Sequence, residues 1–177
     1  SKDLPVYEQK RQVLAAGGFE LGPPRWNLQI PEPAARRFES LSGKRVVHFS
    51  LCASDPLREW PLQHWIELSR QLLEGFPDLR IVVSASGARR EQERLRSFTE
   101  GVAHERVVAL PPGLAIAELA AALSRCRLHV GPDSGVLHLA MALGTPTLAL
   151  FRDHPEMGEW LPRGPSHTEL WWYTLVP

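Results

Sequence analysis

From Lys44 onward the apolar positions fall into short unbroken runs separated by longer stretches of helical spacing. "RVVHFS" (45–50), "LRIVVSA" (79–85), "RVVAL" (106–110), "LHVG" (128–131) and "PTLALF" (146–151) are rich in branched aliphatic residues and read as strands. Between them, "PLQHWIELSRQLLEG" (61–75, with Pro61 in the first turn), a charged stretch from Arg89 to Phe98, "IAELAAALSRC" (116–126) and "SGVLHLAMAL" (134–143) read as helices. Strands that do not alternate are buried on both faces. Such strands, separated by helices, form a parallel sheet with a helical layer on each side. The predicted fold is therefore α/β, a Rossmann-like three-layer domain with a parallel sheet.

The first 43 residues show a different pattern. "PVYEQKRQVLAA" (5–16) reads as a helix closed by Gly17-Gly18, and "ELGPPRWNLQIPEPAA" as an extended, proline-rich connector. A short helix over 34–41 ends before Gly43. The expected organisation is a lead-in helix and interdomain connector over 1–43, then a compact domain over 44–177.

Composition removes several classes of function. Lysine plus arginine equals aspartate plus glutamate at 20 each, so no global field gathers a polyanion and nucleic acid is not an expected partner. The two cysteines, Cys52 and Cys126, are too few for a disulfide framework or a Cys-only metal site. No apolar run approaches the ~20 residues of a membrane span, and the opening residues do not read as a signal peptide. A reduced, cytoplasmic setting is expected, with room for a peripheral contact at the inner membrane.

In parallel α/β sheets ligands sit beyond the carboxyl ends of the strands, which directs attention to the loops there. In "VGPDSGVLH", Asp133 and Ser134 fall where a strand gives way to a helix. The plain reading is a helix cap, with either side chain taking an orphan amide. The sharper reading is an anion site. The amides of Ser134 and Gly135 open a helix N-terminus, Gly135 permits close approach, and His138 lies one turn along on the same side. A serine hydrolase is disfavoured, because Gly131 stands three places before Ser134 and G-x-S-x-G is not formed.

In "SLCASDPLREWPLQHW", Ser50, Ser54 and Arg58 can reach a ligand above the sheet, the arginine as a bidentate fork to phosphate. Alone, Arg58 reads as the surface partner of Glu59 or a helix carboxylate. Gly87, just past the second strand, allows backbone to approach a ligand. Arg89, Arg90, Arg94 and Arg96, interleaved with Glu91 and Glu93, read as a solvated, self-paired face with no function. The tail carries His154, Glu156 and His167 without zinc-binding spacing, so no metal is expected. Trp160, Trp171 and Trp172 read as cover for the sheet edge before they read as a sugar or base platform.

Three of these segments together resemble the C-terminal, donor-binding half of glycosyltransferase family 9, the bacterial heptosyltransferases of lipopolysaccharide inner-core assembly. "RLHVGPDSGVLHLAMALGTPTLALF" is similar to the family's [ND]-[ST]-G-x-x-H-[LI]-x-[AS]-A-L-G-x-P segment. "ASDPLREWPLQHWIELSRQL" and "HPEMGEWLPRGPSH" resemble two supporting stretches. The resemblance implies a two-domain GT-B fold, inverting transfer without a metal or other cofactor, and ADP-heptose as donor. Carried over by position, Asp133 binds a heptose hydroxyl, and Ser134 and Gly135 offer amides to the diphosphate with His138 beside them. Ser54 contacts phosphate, Arg58 stands for the family's lysine as phosphate or transition-state stabiliser, and Leu114 lies against the adenine. Cys52 replaces a usual glycine, Arg89 a frequent glutamate, and "FRDHP" a Phe-Gly-x-Thr-Asp-Pro.

The family's catalytic aspartate belongs to an N-terminal acceptor-binding domain. No residue of this chain is therefore expected to be the base, and the sequence reads as half of an enzyme acting on a lipopolysaccharide-type acceptor. The alternative expectation is a non-catalytic nucleotide or nucleotide-sugar binding module of a larger assembly.

Overall fold

The computed structural model describes residues 6–20, 22, 26, 28–152 and 165–172. Six strands form one parallel sheet: β1 (Arg45–Ser50), β2 (Leu79–Ser84), β3 (Val107–Ala109), β4 (Leu128–Pro132), β5 (Thr147–Arg152) and β6 (His167–Trp172). Their order is β3-β2-β1-β4-β5-β6, all neighbours parallel. That order reverses direction between β1 and β4, and the crevice at this switch point is where doubly wound sheets bind ligands. The predicted α/β, Rossmann-like layer is borne out.

The helices are α1 (Val6–Ala16), α2 (Glu32–Arg37), α3 (Leu62–Gly75), α4 (Arg89–Val102), α5 (Ile116–Leu123) and α6 (Gly135–Ala142). One face of the sheet packs on α3 and α4. There Phe49 meets Trp65 at 4.8 Å between ring centres, within a cluster that includes Ile81, Val83, Leu95 and Phe98. On the other face, Val46, Val82 and Leu110 pack with Ala121 and Ala122 of α5 and with Ala34 and Phe38. Ion pairs Arg37–Glu118 and Arg125–Glu39 (2.8 Å) tie the same segment down, so the lead-in from Ile30 onward is part of this core. At the C-terminal end of α6, Gly144 adopts φ +73°, the left-handed turn that glycine supplies without a Cβ penalty.

The structure departs from the sequence-based expectation at three places. β6 forms where the pattern predicts only a tail: "HTELWW" has no continuous apolar run, since as the last strand of the sheet it pairs with β5 alone and shares only one edge. Its Trp171 packs on Phe151 at 5.3 Å, the sheet-edge cover expected of it. α4 continues four residues past Phe98 to Val102, which is buried and extends the apolar stripe by another turn. The short helix over 34–41 splits into α2 and a 3-10 turn, Glu39–Leu41.

Candidate functional site

The segments leaving β1 and β4, neighbours at the switch point, build the site. After β1 the chain turns through residues 51–59, where the Asp55 carboxylate accepts the Leu57 amide at 2.9 Å and starts a 3-10 turn, Pro56–Arg58. This turn carries Arg58 across to β4, where Nη1 donates to Asp133 Oδ2 at 3.0 Å. Asp133 is 7% exposed, and its other oxygen lies 3.3 Å from His138 Nε2. The pairing of Arg58 with Glu59 or a helix carboxylate does not form.

Neither capping alternative forms either. Ser134 occupies the N-cap position with extended backbone (φ −153°, ψ 164°), but its side chain makes no capping bond. Its Oγ is buried with no partner among the described residues. The first amides of α6 have no intrahelical acceptor. With no side-chain cap, they form a cluster of donors at the positive end of a helix dipole.

This cluster opens into a cavity of about 700 Å³. Its polar wall includes Ser50, Ser54, Ser84, Ser86, Ser134 and His138, with Gly87 and Gly135 leaving backbone accessible. Its apolar wall includes Trp26, Leu28, Leu114, Ile116, Leu119 and Leu139. The structure thus brings Ser54, Gly87, Leu114, Ser134, Gly135 and His138 to one cavity. Asp133 and Arg58 stand beside it, joined to its wall through His138 and the adjoining Ser134.

The arginine series, expected to be self-paired and without function, needs correction. Arg89 pairs with Glu93 at 2.7 Å on the surface as expected. Arg90 and Arg94 turn inward because Glu59, with its side chain 5% exposed, needs compensation. Arg90 donates to Glu59 Oε1 (2.7 Å) and to the Ala53 carbonyl (2.9 Å). Arg94 donates to the carbonyls of Leu51 (3.2 Å) and Trp60 (2.6 Å). Glu59 also accepts the Ala53 amide at 3.0 Å. The loop carrying Ser54 and Arg58 is therefore clamped from α4. Cys52, on the cavity wall, is pushed up to about 12 by burial and then by the charge of Glu59, so its thiol stays protonated and is no nucleophile.

Behind the polar wall lies a feature that no sequence motif announces. His48 and His129 are paired across β1 and β4, both fully buried. Their Nδ1 atoms are 2.9 Å apart, and His48 Nε2 is 2.9 Å from Ser84 Oγ. The available signal is a histidine interrupting each of two apolar strands. His167 lies beyond on the same sheet, with Nδ1 2.9 Å from Thr147 Oγ1. His154, Glu156, Trp160 and most of "HPEMGEWLPRGPSH" lie outside the described residues. Among the described residues no three His, Cys, Asp or Glu side chains converge on a metal-sized site.

A doubly wound parallel sheet with an uncapped helix start at its switch point defines a Rossmann-like α/β domain of the kind found in GT-B glycosyltransferases. The chain belongs to glycosyltransferase family 9 (heptosyltransferase), whose model matches residues 3–175. It is 31% identical over 152 residues to lipopolysaccharide heptosyltransferase 1 of Escherichia coli K12, covering 85% of this chain and 46% of that protein. Against lipopolysaccharide core heptosyltransferase OpsX of Haemophilus influenzae it is 26% identical over 140 residues, 77% of this chain and 39% of that one. The chain thus spans less than half the length of these curated relatives. Among solved structures it is similar to E. coli heptosyltransferase WaaC with ADP-2-deoxy-2-fluoro heptose, with TM-score 0.64 and 26% identity, covering 92% of this chain and 48% of that one. E. coli ADP-heptose heptosyltransferase II shares the fold at TM-score 0.72 and 21% identity, over 96% of this chain and 54% of that one.

Proposed function

We propose that the chain is the donor-binding half of an inverting, metal-independent glycosyltransferase that takes a heptose from ADP-heptose to the lipopolysaccharide inner core or a related glycan. The observation that carries this reading is the uncapped start of α6, opening into a nucleotide-sized cavity beside the Asp133–Arg58 pair.

In this reading the amides of Ser134 and Gly135, with Ser54, take the diphosphate. Arg58 meets the charge that grows on the departing phosphate. Asp133, held from behind, accepts a hydroxyl of the sugar with His138 alongside. Leu114 and its apolar neighbours shelter the adenine, and Gly87 admits the ribose to the backbone. The acceptor hydroxyl attacks the anomeric carbon from the face opposite the diphosphate. The bond to ADP breaks, ADP leaves with the electron pair, and the hydroxyl proton passes to a base. That base comes from an acceptor-binding half outside these residues. The enzyme works in the cytoplasm against the inner membrane, and among the described residues no helix is long and apolar enough to cross a membrane.

A second reading, a non-catalytic nucleotide or nucleotide-sugar module, is favoured by one observation: Asp133 is already committed to both Arg58 and His138. Calorimetric titration with ADP, ADP-heptose, UDP-sugars and GDP-sugars separates the two. The expected result is selective binding of ADP-heptose, weakened about tenfold or more by Asp133→Ala and by Arg58→Ala, or ~1.4 kcal/mol. Equal binding of ADP and ADP-heptose, insensitive to Asp133→Ala, supports the module. Binding of no nucleotide overturns both.

A further inference from the structure

The His48–His129 pair fixes the direction of a proton in the cavity wall, because two neutral rings in contact have few protons to arrange. Both rings are fully buried among apolar strands. Burial pulls His48 down to about 3 and His129 well below its ordinary value, so each ring is neutral and carries one N–H. The two Nδ1 atoms face each other at 2.9 Å, so one must donate and the other accept.

Two arrangements satisfy that contact. In the first, His48 Nδ1–H donates to His129, which places the remaining proton of His129 on Nε2. His48 Nε2 is then bare and must accept from Ser84. In the second, His129 Nδ1–H donates to His48, whose proton lies on Nε2 and points at Ser84 Oγ. His129 Nε2 is then a bare lone pair.

The deciding atom is His129 Nε2, which is buried with no hydrogen-bond partner among the described residues. An orphaned donor here would lose a full hydrogen bond to water and be aimed at carbon. What faces it is Gly131: a Cβ added there would stand 3.0 Å from Nε2 and 3.2 Å from Cε1, so carbon-bound hydrogen, and no acceptor, lies against this part of the ring. A proton on Nε2 would be a buried donor with no acceptor, the rarer kind of orphan, whereas a bare Nε2 leaves no N–H unsatisfied. The second arrangement is the better one.

We propose that His129 and His48 relay a donated hydrogen bond to Ser84 Oγ and so turn the Ser84 hydroxyl proton out into the cavity, making Ser84 a donor that selects a hydrogen-bond acceptor on the nucleoside. Ser84 ends β2, which lies between the β1–β4 switch point, with its uncapped helix, and β3, whose outgoing loop brings Leu114 to the apolar wall. A ligand with its diphosphate at α6 and its base against Leu114 passes over it. The acceptor is a ring nitrogen or ribose oxygen. The histidines are positioning residues, since neither is part of the cavity wall. The contact rests on the nucleotide-binding reading; the proton arrangement does not.

Two measurements on the whole chain separate them. Nitrogen-15 spectra of the histidine side chains are expected to show His129 protonated at Nδ1 and bare at Nε2, with His48 protonated at Nε2. A protonated His129 Nε2 overturns the relay whether or not any nucleotide binds. In calorimetry with ADP, Ser84→Ala is expected to bind about three- to tenfold more weakly than wild type, the worth of one neutral hydrogen bond. Ser84→Thr, which keeps the hydroxyl, should recover most of that loss. If wild type binds ADP and Ser84→Ala binds it equally well, the contact is wrong although the nucleotide reading survives. If wild type binds no nucleotide, the contact falls with that reading, and the spectra alone judge the relay.

Discussion

Asp133 is the residue on which the site turns, because a buried carboxylate must be compensated and here both partners reach it from different elements. Arg58 comes from the turn after β1, and His138 from one turn into α6. Removing Arg58 leaves the carboxylate poorly compensated, yet the Arg58 side chain is 36% exposed, so much of the pair's energy is screened. Arg58→Ala should therefore cost about 1 kcal/mol in urea unfolding, well short of the ~3–5 kcal/mol for breaking a fully buried pair. Gly131 has the opposite constraint, in that nothing may be added to it. A Cβ there would come within 3.0 Å of His129 Nε2 and 3.1 Å of Ser50 Cβ. Gly131→Ala should destabilise the fold by ~1–3 kcal/mol, the usual cost of overpacking, and a shift in the urea midpoint at constant slope would register it.

At the scale of elements, the loop after β1 keeps its shape because α4 reaches over it. Glu59 accepts an amide of that loop, and Arg90 and Arg94 spend their guanidinium protons on Glu59 and on carbonyls at 51, 53 and 60. Glu59→Gln removes the charge that holds both arginines while nearly preserving volume. It should cost ~1–3 kcal/mol of stability and weaken nucleotide binding, by loosening Ser54 and Arg58, although Glu59 lies outside the cavity wall. Parallel unfolding and calorimetric titrations would check this; nucleotide binding as tight as wild type would mean the clamp does not set the loop. The sequence placed Arg90 and Arg94 on the right helix but not on the right side of it. Alternating arginine and glutamate on a helix look self-sufficient, and only the packing of α4 over the loop reveals a buried glutamate 31 residues earlier waiting for Arg90.

Across the whole molecule, a band of histidine chemistry crosses the sheet from β1 and β4 to β6. His48 is held near 3 by desolvation, below the 6.5 of an exposed ring, so the folded state prefers the neutral form. Stability from this group is complete above pH 6.5 and is lost as pH falls from 6.5 toward 3, with His129 acting in the same direction. Urea unfolding measured from pH 7 to pH 4 should show that decline, and His48→Gln, which cannot titrate, should flatten it. An equally steep decline in the variant would assign the acid sensitivity to other groups.

The sequence by itself determined the layers, the strands β1 to β5 and the segment Asp133–His138, because continuous apolar runs, helical spacing and an Asp-Ser-Gly turn are local properties of the chain. Tertiary structure decided the rest: that Arg58 meets Asp133, that Glu59 rather than solvent receives Arg90, that β6 completes the sheet, and that two histidines 81 residues apart share one proton contact. The physical reason is the same in each case. Burial sets the demand for a charge or hydrogen-bond partner, and which distant residue meets it depends on strand order and register, which no local pattern encodes.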